Sequence, residues 1–536
     1  MARIRTGRSL RRRRRSSPSD DRMSALPDDL LLLVLRRLDA RSALGTALLS
    51  TRWARLHREL PVLDFRVGSM LPPRYHRLVL LLDDMDIKGA YLRFKRRCEL
   101  MPKVRRYERG AMRALSRSIE SFLDDEVVRG VRRSVSRLRL EFFINHNPGC
   151  MNRLIAKSID DWGVSDLEAV AKPIYFEDSI HTFPSHGLCH DPRAEIEGPV
   201  TNTSCLRSLK LVGCALPPLH EFSALTMLVL QDITGSTSKA AYEGVFTMCS
   251  QLQVLQLKSC DCRWEDRDLV VDAPSSHIRE LVFDKCTLGR VLMRALPNLE
   301  SLASRDTDAM LQFDQSTSFP SLRQCNHTTS VGLFRTRMGR PREYIGHQRE
   351  LGSFLGRTPY ITNLILRFTG PRRWVVPSPS GSSSPLLPKL RKLLAADVPS
   401  SWDVSWPRLL LEMAPSLETL HIHIAPCRER AGCVIPWEPT KLRRRHLKEF
   451  VVVGFHGTKR QISFVKFVMG VSTSLRRVAL FRNGRAEEDK GHWDWVMVTE
   501  QHSWTNRQKN ATQKKIMDGV SFSRRPAQFV FADPFL

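Results

Sequence analysis

The sequence predicts an α/β fold in which a short unit of three helices is followed by an irregular solenoid of repeats. Parallel strands are expected on the concave side of the solenoid, with helices and loops on the convex side. Three observations support this class. A leucine-dense stretch lies near residue 30, and the pattern L-x-x-L-x-L recurs from residue 135 onward. The chain of 536 residues also exceeds one ordinary core.

The leucine-dense stretch has the pattern of three short helices. Pro27 and the two acids after it are typical of a helix start, because proline tolerates the first turn and carboxylates favour the positive end of the helix dipole. The run from Leu30 to Leu35 is apolar on nearly every side of a helix, so nearly every side needs cover. So small a unit hides too little of its own surface. The surplus apolar face therefore predicts contact with the rest of the chain or with a separate protein.

The same residues resemble an F-box, in the form found at the start of plant F-box proteins with leucine-rich repeats. The matching positions are Leu26-Pro27-Asp28-Asp29-Leu30-Leu31, Val34-Leu35, Leu38 and Leu48-Leu49-Ser50-x-Arg52-Trp53-x-x-Leu56. The resemblance implies docking on the Skp adaptor of a Skp–cullin–F-box ubiquitin ligase, and through it on a cullin. It places adaptor contacts at Leu26, Pro27, Leu30, Leu31, Val34, Leu35, Leu38, Leu48 and Trp53. For Trp53 and Leu56, packing within the three helices is the alternative role.

Positive charge is the second unusual feature. Lys and Arg total 84 against 56 acids, for a formal charge of +28, and such a surface attracts polyanions or acidic partners. Residues 1–22 contain nine arginines and no apolar periodicity, which predicts a disordered tail. The run Arg11 to Arg15 is a nuclear import signal, a contact for nucleic acid, or a solvated tail that no partner recognises. The expected location is the nucleus and/or the cytoplasm. No apolar run is long enough to predict a membrane span.

The repeat signal dominates the rest of the chain. Full copies of L-x-x-L-x-L begin at Val135, Leu206, Leu225, Leu252, Ile278, Ile361, Leu417, Leu447 and Leu475, with weaker copies at Leu299, Leu322 and Leu390. This spacing, with irregular insertions, is that of leucine-rich repeats, whose strands must stack because none buries its face alone. Cys214, Cys260 and Cys286 each follow a strand by three residues. That position predicts a small buried side chain rather than a zinc ligand.

These patterns divide the chain into seven segments. They are a basic tail at 1–22, an F-box at 23–60, a first repeat with a helical linker at 61–134, repeats at 135–376, a Pro- and Ser-rich insertion at 377–388, C-terminal repeats at 389–484, and a tail with a helix and a strand at 485–536. The strand-turn-helix-strand pattern of 447–478 resembles the FBD-type region of plant F-box repeat proteins. The stretch 301–360 has little periodicity and is left unassigned. His181, His186, Cys189 and His190 lie in a loop-like stretch without a second anchored pair, so no metal site is predicted.

No catalytic motif is present: the sequence has no G-x-x-x-x-G-K-[ST] phosphate loop, no H-E-x-x-H and no G-x-S-x-G. We therefore predict a non-catalytic substrate-recognition subunit without cofactor or metal, which holds a target protein beside a charged ubiquitin-conjugating enzyme. The net charge favours an acidic or phosphorylated target. Candidate target contacts are the variable repeat positions Arg207, Lys210, Gln253, Gln256, Arg279 and Glu280; exposed positions without a role are the alternative.

A second interpretation has no ubiquitin role. In it, the chain is a nuclear scaffold that binds nucleic acid or acidic proteins through its basic surface. Few aromatic side chains lie among the basic helices, which argues against stacking on nucleic-acid bases.

Overall fold

The computed structural model describes residues 25–38, 40–46, 49–56, 59–83, 90–129, 135–144, 148–172, 205–217, 222–233, 237–262, 268–307, 310–314, 319–329, 333–335, 341–343, 349–350, 358–368, 375–376, 387–400, 406–426, 442–489, 491, 493–499, 504–518 and 528–531. The basic tail at 1–22 and most of the insertion at 377–388 lie outside these ranges.

The α-helices of the described ranges are α1 (Asp28–Leu35), α2 (Ala40–Gly45), α3 (Thr51–Leu56), α4 (Pro73–Asp83), α5 (Ala90–Arg129), α6 (Pro148–Asp160), α7 (Lys239–Met248), α8 (Trp406–Met413), α9 (Lys459–Val471) and α10 (Asn506–Met517). The strands are β1 (Val62–Arg66), β2 (Arg137–Phe143), β3 (Asp166–Lys172), β4 (Ser208–Val212), β5 (Met227–Gln231), β6 (Val254–Lys258), β7 (Leu269–Asp272), β8 (Glu280–Asp284), β9 (Arg290–Ala295), β10 (Ser301–Thr307), β11 (Met310–Phe313), β12 (Gln324–Thr329), β13 (Leu333–Arg335), β14 (Pro341–Glu343), β15 (Arg349–Glu350), β16 (Asn363–Phe368), β17 (Val375–Val376), β18 (Lys392–Pro399), β19 (Thr419–Ala425), β20 (Glu449–Val453), β21 (Arg477–Phe481), β22 (Gly484–Asp489), β23 (Asp494–Thr499) and β24 (Gln528–Val530).

One parallel sheet of 15 strands runs through the molecule, in the order β1-β2-β3-β4-β5-β6-β8-β10-β12-β16-β18-β19-β20-β21-β24. Neighbouring strands pair in register, so the first core residue of each repeat forms one row. In its first half this row consists of Leu63, Leu138, Leu167, Leu209, Leu228, Leu255, Leu281 and Leu302. The prediction of a mixed α/β fold with a long parallel sheet is confirmed.

The main core lies between this sheet and the segments that return the chain from one strand to the next. Helices α4 to α10 contribute to these segments, as does a second, three-stranded sheet of order β11-β9-β7. Val271 and Met293 of that small sheet are fully buried in the same core as Leu255 and Leu281 of the main sheet. The small sheet therefore packs across the core from the main one, as a solenoid with strands on one side requires.

Three details of the sheet differ from expectation. Strand β3 was missed by the repeat pattern, because Ala169 stands where the full copies of the pattern carry a large apolar residue. Strands β16 and β18 pair directly, from Asn363 with Lys392 onward, so the sheet continues across the insertion predicted at 377–388. The unassigned stretch contributes β10 and β12 to the same sheet.

A residue with left-handed backbone lies at or near the end of many strands of the main sheet. The residues with positive φ at this position are Gly213, Asp232, Ser259, Lys285, Asp306, Asp397 and Gly454. Cys214, Cys260 and Cys286 directly follow three of them and are 0–1% exposed. Sγ of Cys260 lies 3.4 Å from the carbonyl oxygens of Leu230 and Lys258. The thiol therefore donates a weak hydrogen bond to the backbone carbonyls at this turn. The prediction of small buried side chains here is confirmed, and burial raises the pKa of the Cys214 thiol to about 12.

A buried carboxylate joins α4 to α5. The hydroxyl of Tyr75 donates a 3.0 Å hydrogen bond to Oε1 of Glu108, whose side chain is 1% exposed. Burial raises the pKa of Glu108, and this effect outweighs the Tyr75 hydrogen bond and the positive charge of Arg105, which lower it. Oε2 of Glu108 has no hydrogen-bond partner in the described part of the chain. The ionised form is therefore less stable in the folded protein than in water.

Replacing Glu108 by glutamine will stabilise the protein at neutral pH. The raised pKa means that the folded state holds this proton more tightly, so wild-type stability falls as the pH rises from about 4 through that pKa. The glutamine side chain would keep an acceptor for Tyr75 without the charge. We expect a gain of about 1–3 kcal/mol at pH 7. Urea unfolding of both proteins between pH 4 and 8 measures it; a difference that stayed constant with pH would contradict this explanation.

Candidate functional site

The first three helices form a small core of their own, separate from the main one. Its fully enclosed members are Leu31, Leu35, Ala43, Trp53, Leu56 and Leu60. Asp28 ties α1 to α3, because its carboxylate lies 2.6 Å from an Nη of Arg52 and 2.7 Å from an Nη of Arg55. The Arg52 hydrogen bond is the main reason that the pKa of Asp28 is lowered. The three helices thus hold together without covering every side of α1.

An apolar face of α1 remains exposed. Leu30 is 46% exposed, Leu33 52% and Val34 40%. These positions share one side of a helix, at i, i+3 and i+4. Leu38 and Leu49, in the same three-helix unit, are 40% and 69% exposed. We call Leu30, Leu33, Val34, Leu38 and Leu49 the leucine face; it is the uncovered surface that the small helical unit was expected to have.

The structure corrects part of the predicted adaptor contact set. Leu31, Leu35 and Trp53 point into the small core and are 0%, 1% and 8% exposed, so they offer little or no surface to a partner. Leu30, Val34, Leu38 and the exposed Pro27 stay predicted contacts, with the half-buried Leu26 at their edge. Leu48 lies outside the described residues.

Leu33 was missed by the sequence analysis. It is not one of the positions that resemble an F-box, yet it is more exposed than Leu30 or Val34. The unbroken run from Leu30 to Leu35 was the signal that could have found it, since such a run covers both sides of a helix.

Three of the six candidate target contacts lie on the outer face of the main sheet, which is the face turned away from the main core. Lys210, Gln256 and Glu280 alternate with core leucines in β4, β6 and β8, and Arg207, Gln253 and Arg279 are exposed directly before these strands. The structure therefore places Lys210, Gln256 and Glu280 on one face of the sheet, and the other three at the starts of the same strands. Lys210 Nζ lies 2.9 Å from Glu168, and Gln256 Nε2 donates to Glu280 at 2.9 Å.

Charges on the first four strands of this outer face are largely paired. Arg139 lies 3.2 Å from Glu168, and Lys172 lies 2.9 Å from Glu141. Asp64 is paired with Arg66, and this hydrogen bond is the main cause of the raised pKa of Arg66. The net positive charge of the chain is therefore not concentrated on this part of the sheet, which favours a partner of mixed charge.

The C-terminal half of the outer face is covered by the chain itself. The hairpin β22–β23 packs across it, with Trp495 and Met497 against Ile365, Leu394 and Ala396. Met497 also reaches Val451, Val453, Ala479 and Phe481. Several outer positions of these strands are accordingly apolar, unlike the charged positions of β1 to β4.

A cluster of polar side chains holds this hairpin against the main sheet. The guanidinium of Arg367 lies over the Trp495 ring at 4.3 Å from its centroid, donates to the carbonyl of Ala486 at 3.1 Å and pairs with Asp397. Asp397 Oδ1 lies 2.8 Å from Nδ1 of His423. Burial alone would raise the pKa of Asp397, but the His423 hydrogen bond and the charge of Arg367 hold it below its usual value.

Replacing Trp495 by alanine will loosen the hairpin without unfolding the sheet. The ring supplies both the stacking surface for Arg367 and an apolar contact, and a desolvated cation–π pair is worth about 2 kcal/mol. Amide hydrogen exchange should therefore become roughly 30-fold faster in 484–499 while the main sheet keeps its protection. Val496→Ala is the matched control, because Val496 is 45% exposed on the same strand. Equal protection in both variants would contradict the packing described here.

Within the described residues, no three His, Cys, Asp or Glu side chains come together as a metal site would need. The cluster of His181, His186, Cys189 and His190 lies outside those residues. None of the described helices is both long and apolar enough to span a bilayer.

Comparison with known proteins gives one result for this site. No curated protein matches the chain. A family model described as F-box domain matches residues 23–58, which contain all three helices of the small core and the leucine face. The finer resemblance to leucine-rich repeats, to an FBD region and to plant proteins stays a prediction. Residues 23–58 therefore match an F-box domain, and a domain of this kind implies binding to a Skp-type adaptor in a Skp–cullin–F-box ubiquitin ligase.

Proposed function

We propose that this protein is a non-catalytic substrate-recognition subunit of a Skp–cullin–F-box ubiquitin ligase. One observation carries the proposal: the matched F-box domain presents the leucine face, which its own small core leaves uncovered. A Skp-type adaptor is the partner that this domain implies, and a cullin would be reached through it. The complex would act in the nucleus and/or the cytoplasm.

The sheet would serve as the target-binding part. Its strands carry the L-x-x-L-x-L pattern in register, which supports the interpretation as leucine-rich repeats. The order β20, α9, β21 supports the resemblance of the C-terminal part to an FBD-type region. Because the hairpin covers the outer face from β16 to β21, we place target contacts on the strands before it, at Arg207, Lys210, Gln253, Gln256, Arg279 and Glu280.

Ligase action would then be positional. An adaptor that holds a target near a charged conjugating enzyme raises the effective concentration of the target's lysines and needs no reactive group of its own. The paired charges of β1 to β4 support a target of mixed charge on this surface. The prediction of an acidic or phosphorylated target came from net charge alone and stays a prediction.

Titration of the purified chain with a purified Skp-type adaptor tests the proposal. We expect a 1:1 complex by calorimetry and by analytical ultracentrifugation. The apolar character of the leucine face predicts a negative heat-capacity change on binding. Absence of a complex at concentrations of tens of micromolar for both proteins would remove the assignment.

A further inference from the structure

A row of arginines follows one side of helix α5. Arg105, Arg109, Arg113 and Arg117 are exposed and spaced four residues apart. At a rise of about 1.5 Å per residue, consecutive arginines are about 6 Å apart along the axis. Nε of Arg109, Arg113 and Arg117 each donates to the backbone carbonyl four residues earlier, at 3.2–3.3 Å. These side chains therefore lie in one repeating conformation along the helix.

The opposite side of α5 fixes the orientation of this row. Val104, Met112, Leu115 and Ile119 are fully buried in the main core. The thiol of Cys150 on α6 also approaches the carbonyl of Ser116 on α5, at 3.7 Å. Since the helix cannot rotate without exposing these residues, the arginines are presented to solvent in an arrangement set before any ligand binds. Preorganisation of this kind lowers the entropic cost of binding.

Three arginines of the row, Arg109, Arg113 and Arg117, lack neutralising carboxylates among the described residues. In the part of the chain that the structure describes, no carboxylate lies within ion-pair distance of Arg106, Arg109, Arg113 or Arg117. Glu108, on the same helix, is buried beneath them with Tyr75. This contrasts with β1 to β4, where Arg139 and Lys210 share Glu168. Arg109, Arg113 and Arg117 are therefore a local concentration of positive charge on α5.

We propose that this arginine row binds the phosphodiester backbone of a nucleic acid. A regular line of cations fits a regular line of phosphates, and arginine suits phosphate because its planar fork donates two hydrogen bonds. An acidic protein is the weaker match. Between Lys103 and Arg117 the exposed side is basic apart from Gly110, and it offers none of the apolar anchors on which protein interfaces depend.

The residue types on this exposed side of α5 also determine how a nucleic acid would be recognised. The exposed part of this segment has no aromatic side chain on which a base could stack. Contacts with phosphates alone position a protein without reading sequence. Binding should therefore be independent of sequence and strongly dependent on salt. This activity does not rest on adaptor docking, since α5 and the leucine face belong to separate cores. It would place a ligase subunit near targets that are themselves bound to nucleic acid.

A salt titration with a matched control tests this inference. The test variant is Arg109→Gln, Arg113→Gln, Arg117→Gln in the full chain. The control is Arg290→Gln, Arg391→Gln, Arg485→Gln, which removes the same charge from exposed arginines that pair with Asp268, Glu418 and Glu487. The probe is a fluorescent 20-base-pair DNA duplex of arbitrary sequence, followed by anisotropy at several salt concentrations.

Three lost phosphate contacts should reduce the slope of log K against log salt by about 2.7. With equal affinities at 1 M salt, where phosphate contacts are screened, the variant would bind about 500-fold more weakly at 0.1 M salt. The control should keep the wild-type slope, and a duplex of different sequence should bind wild type equally well. The inference is overturned if the test and control variants change by the same amount. It is also overturned if the test variant loses binding to polyglutamate but not to DNA, which would assign the row to acidic proteins. Circular dichroism confirms that each variant is folded.

Discussion

Replacing Leu30 and Val34 together by aspartate will abolish binding of the Skp-type adaptor while the protein stays folded. Both side chains belong to the exposed leucine face, at 46% and 40% exposure, so the substitutions remove no packing from the small core. Burying each side chain in an interface is worth about 1.5–3 kcal/mol, and two buried carboxylates would add a further cost. We expect affinity to fall by more than about a hundredfold, measured by calorimetry with the purified adaptor.

Two comparisons make this result specific. Leu80→Asp with Met248→Asp places the same charges on apolar side chains that are 70% and 53% exposed outside the F-box, and adaptor binding should be unchanged. Leu31→Asp should lose binding for another reason, since Leu31 is buried and its replacement unfolds the small core. Circular dichroism and proteolysis of the N-terminal region separate the two causes. Wild-type affinity in the variant with both Leu30 and Val34 replaced would show that the adaptor uses another surface.

The sequence could predict that α1 needs a partner but not which of its sides the partner meets. A helix that is apolar all round has no polar stripe to mark the exposed side. Asp28 determines which side of α1 is buried. Its contacts with Arg52 and Arg55 bring α3 against the side that carries Leu31 and Leu35. The contact with Arg52 joins residues 24 positions apart, and no local pattern encodes it.

The sheet was more predictable, because its strands repeat one short pattern in register. The hairpin β22–β23, which covers the outer face of its C-terminal half, was not predicted, because it comes from a later part of the chain. A signal was nonetheless present. Leu394 and Ala396 of β18, like Val451 and Val453 of β20, place apolar residues at the outward positions, where β1 to β4 carry charges. Strands that are apolar on both faces indicate a sheet that is covered on both faces.

Replacing Gly454 by alanine will destabilise the protein by about 2–5 kcal/mol. Gly454 directly follows β20 with φ of 81°, in the left-handed region, which costs a residue with a side chain about 1–2 kcal/mol. A Cβ built there would lie 2.2 Å from the carbonyl oxygen of Ile424. That atom is backbone in the neighbouring repeat, so no rotamer change relieves the overlap and the turn must move, at a further cost of about 1–3 kcal/mol.

Gly110→Ala is the matched control, and we expect the opposite sign. Gly110 lies within α5, and nothing comes within 4 Å of a Cβ built on it. In a helix interior this change stabilises by about 0.5–1 kcal/mol, because alanine loses less backbone entropy on folding. Urea unfolding of the two variants beside wild type gives both values. Asp232, Ser259 and Lys285 tolerate the same left-handed turn with side chains. A loss of only about 1 kcal/mol at Gly454 would therefore mean that the conformation alone sets the cost, and that the approach to Ile424 is not restrictive.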